Sequence, residues 1–237
     1  MSATENDSSV AKNKLLPLFK VMMVAIISLV LGLASFIGWR SLSSNPSELP
    51  SLSEQLRDSA FIFPQPINVT DVPFLNEEGQ TVGKSENVGK WSFLFFGYTF
   101  CPDVCPTTLA VMQQMWIKLS PAMQSQTQVV LVSVDVDRDT PEQLKTYMDY
   151  FDSNFTAFTG KPASLRSFAA QLNAVYAKVE RKNAQGEVDQ ELGYLMDHSA
   201  NITILDPNGN YFGFIRPPFT PKKMLKIVTA IQTRPGV

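Results

Sequence analysis

Between Val21 and Trp39 the chain runs for 19 residues without a charge, VMMVAIISLVLGLASFIGW. At about 1.5 Å rise per residue, a helix of this length spans the hydrocarbon core of a bilayer. Lys12, Lys14 and Lys20 precede the run and only Arg40 lies close behind it. Cytoplasmic flanks carry the excess of Lys and Arg, so the front end is expected inside and the rest outside. Two alternatives compete. A cleaved signal peptide has a shorter apolar region, ~7–15 residues, and Ser41-Leu42-Ser43 is a poor cleavage site. A buried core helix is the other. Glu5, Asp7 and the absence of Arg before the run are unlike an organelle transit peptide. The expected layout is a cytoplasmic tail (1–20), a single transmembrane anchor (21–39), a Ser- and Pro-rich tether (40–60) and one domain (61–237). The setting that suits it is a bacterial inner membrane, with the domain in the periplasm.

The chain has 237 residues, 44% of them hydrophobic, enough for one core of ordinary size. A net charge of -2 gives no electrostatic case for nucleic acid. There is one histidine, His198, so any imidazole chemistry rests on it. Two cysteines are too few for a disulfide scaffold or a four-cysteine zinc site.

Within the domain, short apolar runs alternate with helical spacing. WSFLFFGY (91–98) and VVLVSV (129–134) read as buried strands. Leu109, Met112, Trp116 and Leu119 mark one face of a helix over 107–119. Thr140-Pro141 opens another helix, with Gln143 at the capping-box position. Residues 156–158 suggest a strand, and 164–174 a helix with Leu165, Phe168 and Leu172 inward. Residues 181–193 read as an exposed excursion. Strands over 200–205 and 211–215 pair across the Asp206–Gly209 turn, and Thr220-Pro221 caps a last helix. The order β-α-β-α-β-α-β-β-α implies an α/β domain, a thioredoxin-like mixed sheet flanked by helices.

Both cysteines lie in FGYTFCPDVCPTT (96–108), between a strand and a helix. Pro106 suits the first helical position, which puts Cys105 at the cap and Cys101 in the loop. The positive end of the helix then favours thiolate. Three uses are open. A disulfide closing so short a loop restrains the unfolded chain by only about 2 kcal/mol. A redox pair of thioredoxin type usually has two intervening residues, and this one has Pro102, Asp103 and Val104. Two thiolates can also hold a soft cation such as Cu(I), and an imidazole makes Cu(II) acceptable as well. His198, in MDHSANITILDP, stands just before a predicted strand. In this fold the loop entering that strand lies against the cysteine loop. Asp135, at the end of VVLVSV, could tune the ligands from behind or simply pair with Arg138.

FGYTFCPDVCPTTL, VSVDVDRDTP (132–141) and DHS (197–199) together resemble the Sco/SenC family of copper-binding assembly factors for cytochrome c oxidase. The likeness covers roughly 61–234 and includes the preceding anchor. It implies copper, as Cu(I) and Cu(II), held by Cys101, Cys105 and His198, with Asp135 at an acidic position of the second motif. It also implies a metallochaperone rather than an enzyme, delivering to the binuclear copper centre of oxidase subunit II. Other copper chaperones or thioredoxin-like reductants are further candidate partners. Phe100 stands where some relatives carry His. The alternative function is a thiol–disulfide oxidoreductase using Cys101 and Cys105 as its redox pair.

Overall fold

The computed structural model describes residues 8–43, 51–182, 186–187 and 193–233. The chain divides into two compact units, Met1–Leu49 and Pro50–Val237. In the first, helix α1 (Ser8–Ser43) contains an apolar stretch, Phe19–Arg40, long enough to cross a membrane. None of that stretch is buried, which does not suit a core helix.

The second unit begins earlier than its sequence suggests. Ser51 caps a short helix, α2 (Leu52–Leu56), by accepting from the Glu54 N–H. Leu52 and Leu56 are buried. The segment 52–56, expected in the tether, therefore belongs to the domain, because two leucines one turn apart dock on it.

The central strands are the apolar runs. β4 (Trp91–Gly97) pairs in parallel with β5 (Thr127–Ser133), and every residue of both is buried. β5 pairs in parallel with β6 (Thr156–Thr159). On the other side of β4, β9 (Ile202–Leu205) runs antiparallel and pairs with β10 (Tyr211–Ile215). Asp206 Oδ1 accepts from the Asn208 and Asn210 N–H groups to close that hairpin, and Gly209 takes the positive φ it needs. β1 (Phe61–Ile67) finishes one edge against β10, and the β2 (Phe74–Asn76) and β3 (Thr81–Val82) hairpin finishes the other, giving the order β1-β10-β9-β4-β5-β6-β2-β3.

Between the strands lie α3 (Val104–Trp116), α4 (Pro121–Ser125), α5 (Pro141–Asp149) and α6 (Pro162–Gln171), with α7 (Pro221–Gln232) after β10. Thr140 and Thr220 cap α5 and α7 as expected, accepting from the Gln143 and Lys223 N–H groups. Leu109, Met112, Trp116 and Leu119 are buried, as are Leu165, Phe168 and Leu172. The expected order is thus present, with β1–β3, α2 and α4 added to it. So is a separate two-stranded sheet of β7 (Tyr176–Glu180) and β8 (Tyr194–His198). The excursion expected at 181–193 lies partly outside the described residues.

Candidate metal centre

β4 delivers the chain at Gly97 to a loop that carries Cys101, and α3 follows at once. The helix starts at Val104, so Cys105 and Pro106 are its second and third residues rather than its cap and first. A proline fits anywhere in the first turn, because its missing N–H is one the helix cannot use there. The Cys105 N–H, one of those free donors, points at Cys101 Sγ at 3.5 Å. Both sulfurs thus sit at the positive end of α3. Both thiols are free and buried.

His198 closes β8 and is not in a loop. The β7–β8 register, from Tyr176↔His198 to Glu180↔Tyr194, carries it back over the cysteines. Its Nε2 stands 3.7 Å from Cys105 Sγ. Its Nδ1 stands 3.2 Å from the Ser199 carbonyl, which can only accept, so the proton belongs on Nδ1 and Nε2 presents its lone pair. The Tyr98 ring and the imidazole meet edge-to-face at 87°, with centroids 6.1 Å apart. The ligand atoms of Cys101, Cys105 and His198 all lie within 4.8 Å of one another. Donors at about 2.0–2.3 Å from a shared first-row ion stand at most about 4.6 Å apart, so slight closure would let the three share one ion.

The two thiols share one proton. Cys101 is lowered to about 4, chiefly by the hydrogen bond from Cys105 and also by the Asp103 and Cys105 backbone. Cys105 is pushed far up by the same bond, by burial and by the Cys101 charge. Two soft sulfurs and one neutral imidazole suit copper in both oxidation states. A closed structural zinc site would want a fourth protein ligand, and among the described residues the cluster has three.

Asp135 is buried but makes no hydrogen bond to these donors. It takes the Tyr194 hydroxyl at 2.7 Å and pairs with Arg138 Nε. The carboxylate that bonds the cysteine loop is Asp139. It accepts from Ser133 Oγ at 2.6 Å, from Thr99 Oγ1 at 2.6 Å and from the Thr99 N–H at 3.2–3.3 Å. Asp139 therefore ties the residues before Cys101 to the end of β5. Nothing in the sequence separates it from Asp135 or Asp137, since its donors come from two other segments.

Gly97 has a steric role. A Cβ there would meet Leu131 Cδ1 at 2.8 Å and Cys105 Sγ at 2.9 Å. Beside the donors opens an apolar cavity of about 260 Å³, with Cys105 and His198 in a wall shared with Val104, Val111, Pro218 and Phe219.

A family model described as SCO1/SenC matches residues 67–233. A putative copper-binding protein of Stutzerimonas stutzeri is 33% identical over 175 residues, covering 72% of this chain and 82% of that protein. Among solved structures, apo Sco1 of Thermus thermophilus is 31% identical, with a TM-score of 0.57 over 73% of this chain and 91% of that one. Copper-bound ScoI of Bradyrhizobium japonicum is 28% identical, with a TM-score of 0.57 over 68% of this chain and 96% of that one. The thioredoxin-like mixed sheet is common to the two structures, and the chain belongs to the SCO1/SenC family.

Proposed function

We propose that this protein is a membrane-anchored copper metallochaperone. Copper, as cargo, binds Cys101 Sγ, Cys105 Sγ and His198 Nε2 and passes to the binuclear centre of cytochrome c oxidase subunit II. The observation that carries the reading is the convergence of His198 on two thiols, with Cys105 and His198 93 residues apart in the chain. The copper named for the Stutzerimonas relative and bound in the Bradyrhizobium structure supports it. Before loading, Cys101 is the thiolate and Cys105 holds the proton, so binding at neutral pH expels one proton from Cys105 to solvent. Two thiolates alone suit Cu(I), and His198 adds the nitrogen that Cu(II) wants. The lysine asymmetry about α1 supports a cytoplasmic tail, a single-pass anchor and a periplasmic domain.

A second reading has its own observation. A low-pKa Cys101 next to a protonated Cys105 is also how a dithiol begins exchange with a partner's disulfide. His198 separates the two. Cells carrying His198→Ala should lose oxidase activity at limiting copper and partly regain it with excess copper. Full activity at limiting copper would overturn delivery and favour exchange.

A further inference from the structure

Four residues before His198, on the same strand, Tyr194 is gripped from three directions. Its hydroxyl donates to Asp135 Oδ1 at 2.7 Å. The Arg138 guanidinium carbon lies 3.8 Å from its ring centroid, and Lys178 Nζ lies 3.7 Å from it. Both cations therefore lie against the ring itself. Lys178 also reaches Asp137 at 3.4 Å. Arg138 pairs with Asp135 and lies over the Phe100 ring at 4.9 Å, next to Cys101. A single short loop, 135–138, thereby holds both the cysteine loop and the hairpin that bears the histidine.

The hairpin depends on such a hold. Among the described residues, β7 and β8 pair only with each other and form no ladder with the eight-stranded sheet. At its base the bonds are internal, from Ser199 N to Val175 O and from Val175 N to Ser199 Oγ. Tyr194, Met196 and His198 share one face of β8, since side chains alternate along a strand. Buried Met196 holds the middle of that face, and its backbone meets the Tyr98 hydroxyl. Tyr194 holds its far end. Seating both fixes the roll of the strand about its own axis, and the roll decides whether His198 faces the thiols or turns away.

We propose that Tyr194 and Arg138 form a clasp that positions His198 against Cys105, and so sets how well the site takes copper as Cu(II). They are positioning residues, since no metal ligand is among them. The proposal rests on the copper reading for its consequence but not for its geometry. Residues that orient a metal ligand typically change affinity by about 10–100-fold when replaced. Tyr194→Leu should cost this much for Cu(II) and leave Cu(I) affinity nearly unchanged, because both thiolates remain. Tyr194→Phe keeps the ring that both cations meet and should recover most of the loss.

The test uses the full chain in detergent, with Cu(II) and Cu(I) as separate probes. Competition titration gives affinities, and electron paramagnetic resonance reports the imidazole nitrogen on Cu(II). Amide hydrogen exchange over 176–180 and 194–198 is read without metal. Tyr194→Leu should weaken Cu(II), lose the nitrogen signature and exchange its hairpin amides about tenfold faster or more. Added to His198→Ala, it should weaken Cu(II) no further. Wild-type Cu(II) affinity in Tyr194→Leu, or a full additional loss in the double variant, overturns the proposal. Equal Cu(II) affinity in the parent protein and His198→Ala would instead remove His198 as a ligand. The metal-free exchange rates still decide the clasp in that case, and unchanged rates in Tyr194→Leu overturn it.

Discussion

Adding one methyl group at Gly97 probes the centre through packing alone. The Cβ of Gly97→Ala would lie 2.9 Å from Cys105 Sγ and 2.8 Å from Leu131 Cδ1, with Phe95 Cε2 at 3.2 Å. Ordinary contacts begin at about 3.5 Å, so the sulfur must retreat by about 0.6 Å or the strand must give way. Leu131 is fully buried and Cys105 nearly so, which leaves neither an easy exit. Overpacking of this kind costs about 1–3 kcal/mol. For a domain of this size that lowers the melting temperature by roughly 2–12 °C. Copper should suffer as well, because a 0.6 Å shift of one donor exceeds the tolerance of about 0.2 Å in metal–ligand distances. We expect copper affinity to fall about tenfold or more. Calorimetric melting of the metal-free protein and copper competition measure the two effects. In a Cys105→Ala background the sulfur contact is gone, and the melting penalty of Gly97→Ala should shrink by about 1 kcal/mol. An unchanged copper affinity together with strictly additive melting penalties would refute the contact.

Thiolate absorbance near 240 nm should show one sulfur of the reduced metal-free protein titrating near pH 4, and Cys101→Ser should abolish that step. A thiol lowered in the folded state contributes stability fully above its unfolded pKa of about 8.5, and loses it as pH falls through the folded value. Cys101→Ser should therefore flatten the fall in stability between pH 8 and pH 4, which urea titration at several pH values measures. Asp139→Ala leaves the Thr99 and Ser133 donors without an acceptor and should cost about 2–4 kcal/mol in urea unfolding. Asp139→Asn, which keeps an acceptor oxygen, should cost less, and equal stability of the two variants would contradict the network. A reporter active only in the periplasm should work when fused after Leu49. Silence there, with an active cytoplasmic reporter at the same place, would reverse the topology.

How much of this was legible in the sequence depended on the range of each cause. β4 and β5 announced themselves because strands buried on both faces are apolar throughout. The caps Thr140 and Thr220 were legible because a cap and its proline are neighbours in the chain. β1 was hidden by Pro64 and Pro66, which an edge strand tolerates because one side of it lacks partners. β2 and β3 were too short to show a period. β7 is largely exposed and β8 mostly half-buried, so their residues lack the apolar pattern that marks a strand, and His198 looked like part of a loop. At the centre, Cys101 and Cys105 followed from spacing, and His198 from being the sole imidazole. Asp139, Gly97 and Tyr194 did not, because what gives each its role comes from a distant segment: Thr99 for Asp139, Cys105 for Gly97, and Asp135 with Arg138 for Tyr194.

The most direct measurement is a Cu(II) titration of the reduced full chain in detergent, followed by sulfur-to-copper charge-transfer absorption and metal stoichiometry. One equivalent of copper should bind with that absorption. Cys101→Ala combined with Cys105→Ala should abolish both, and His198→Ala should weaken Cu(II) more than Cu(I). The same absorption and stoichiometry in the double cysteine variant would contradict the copper site.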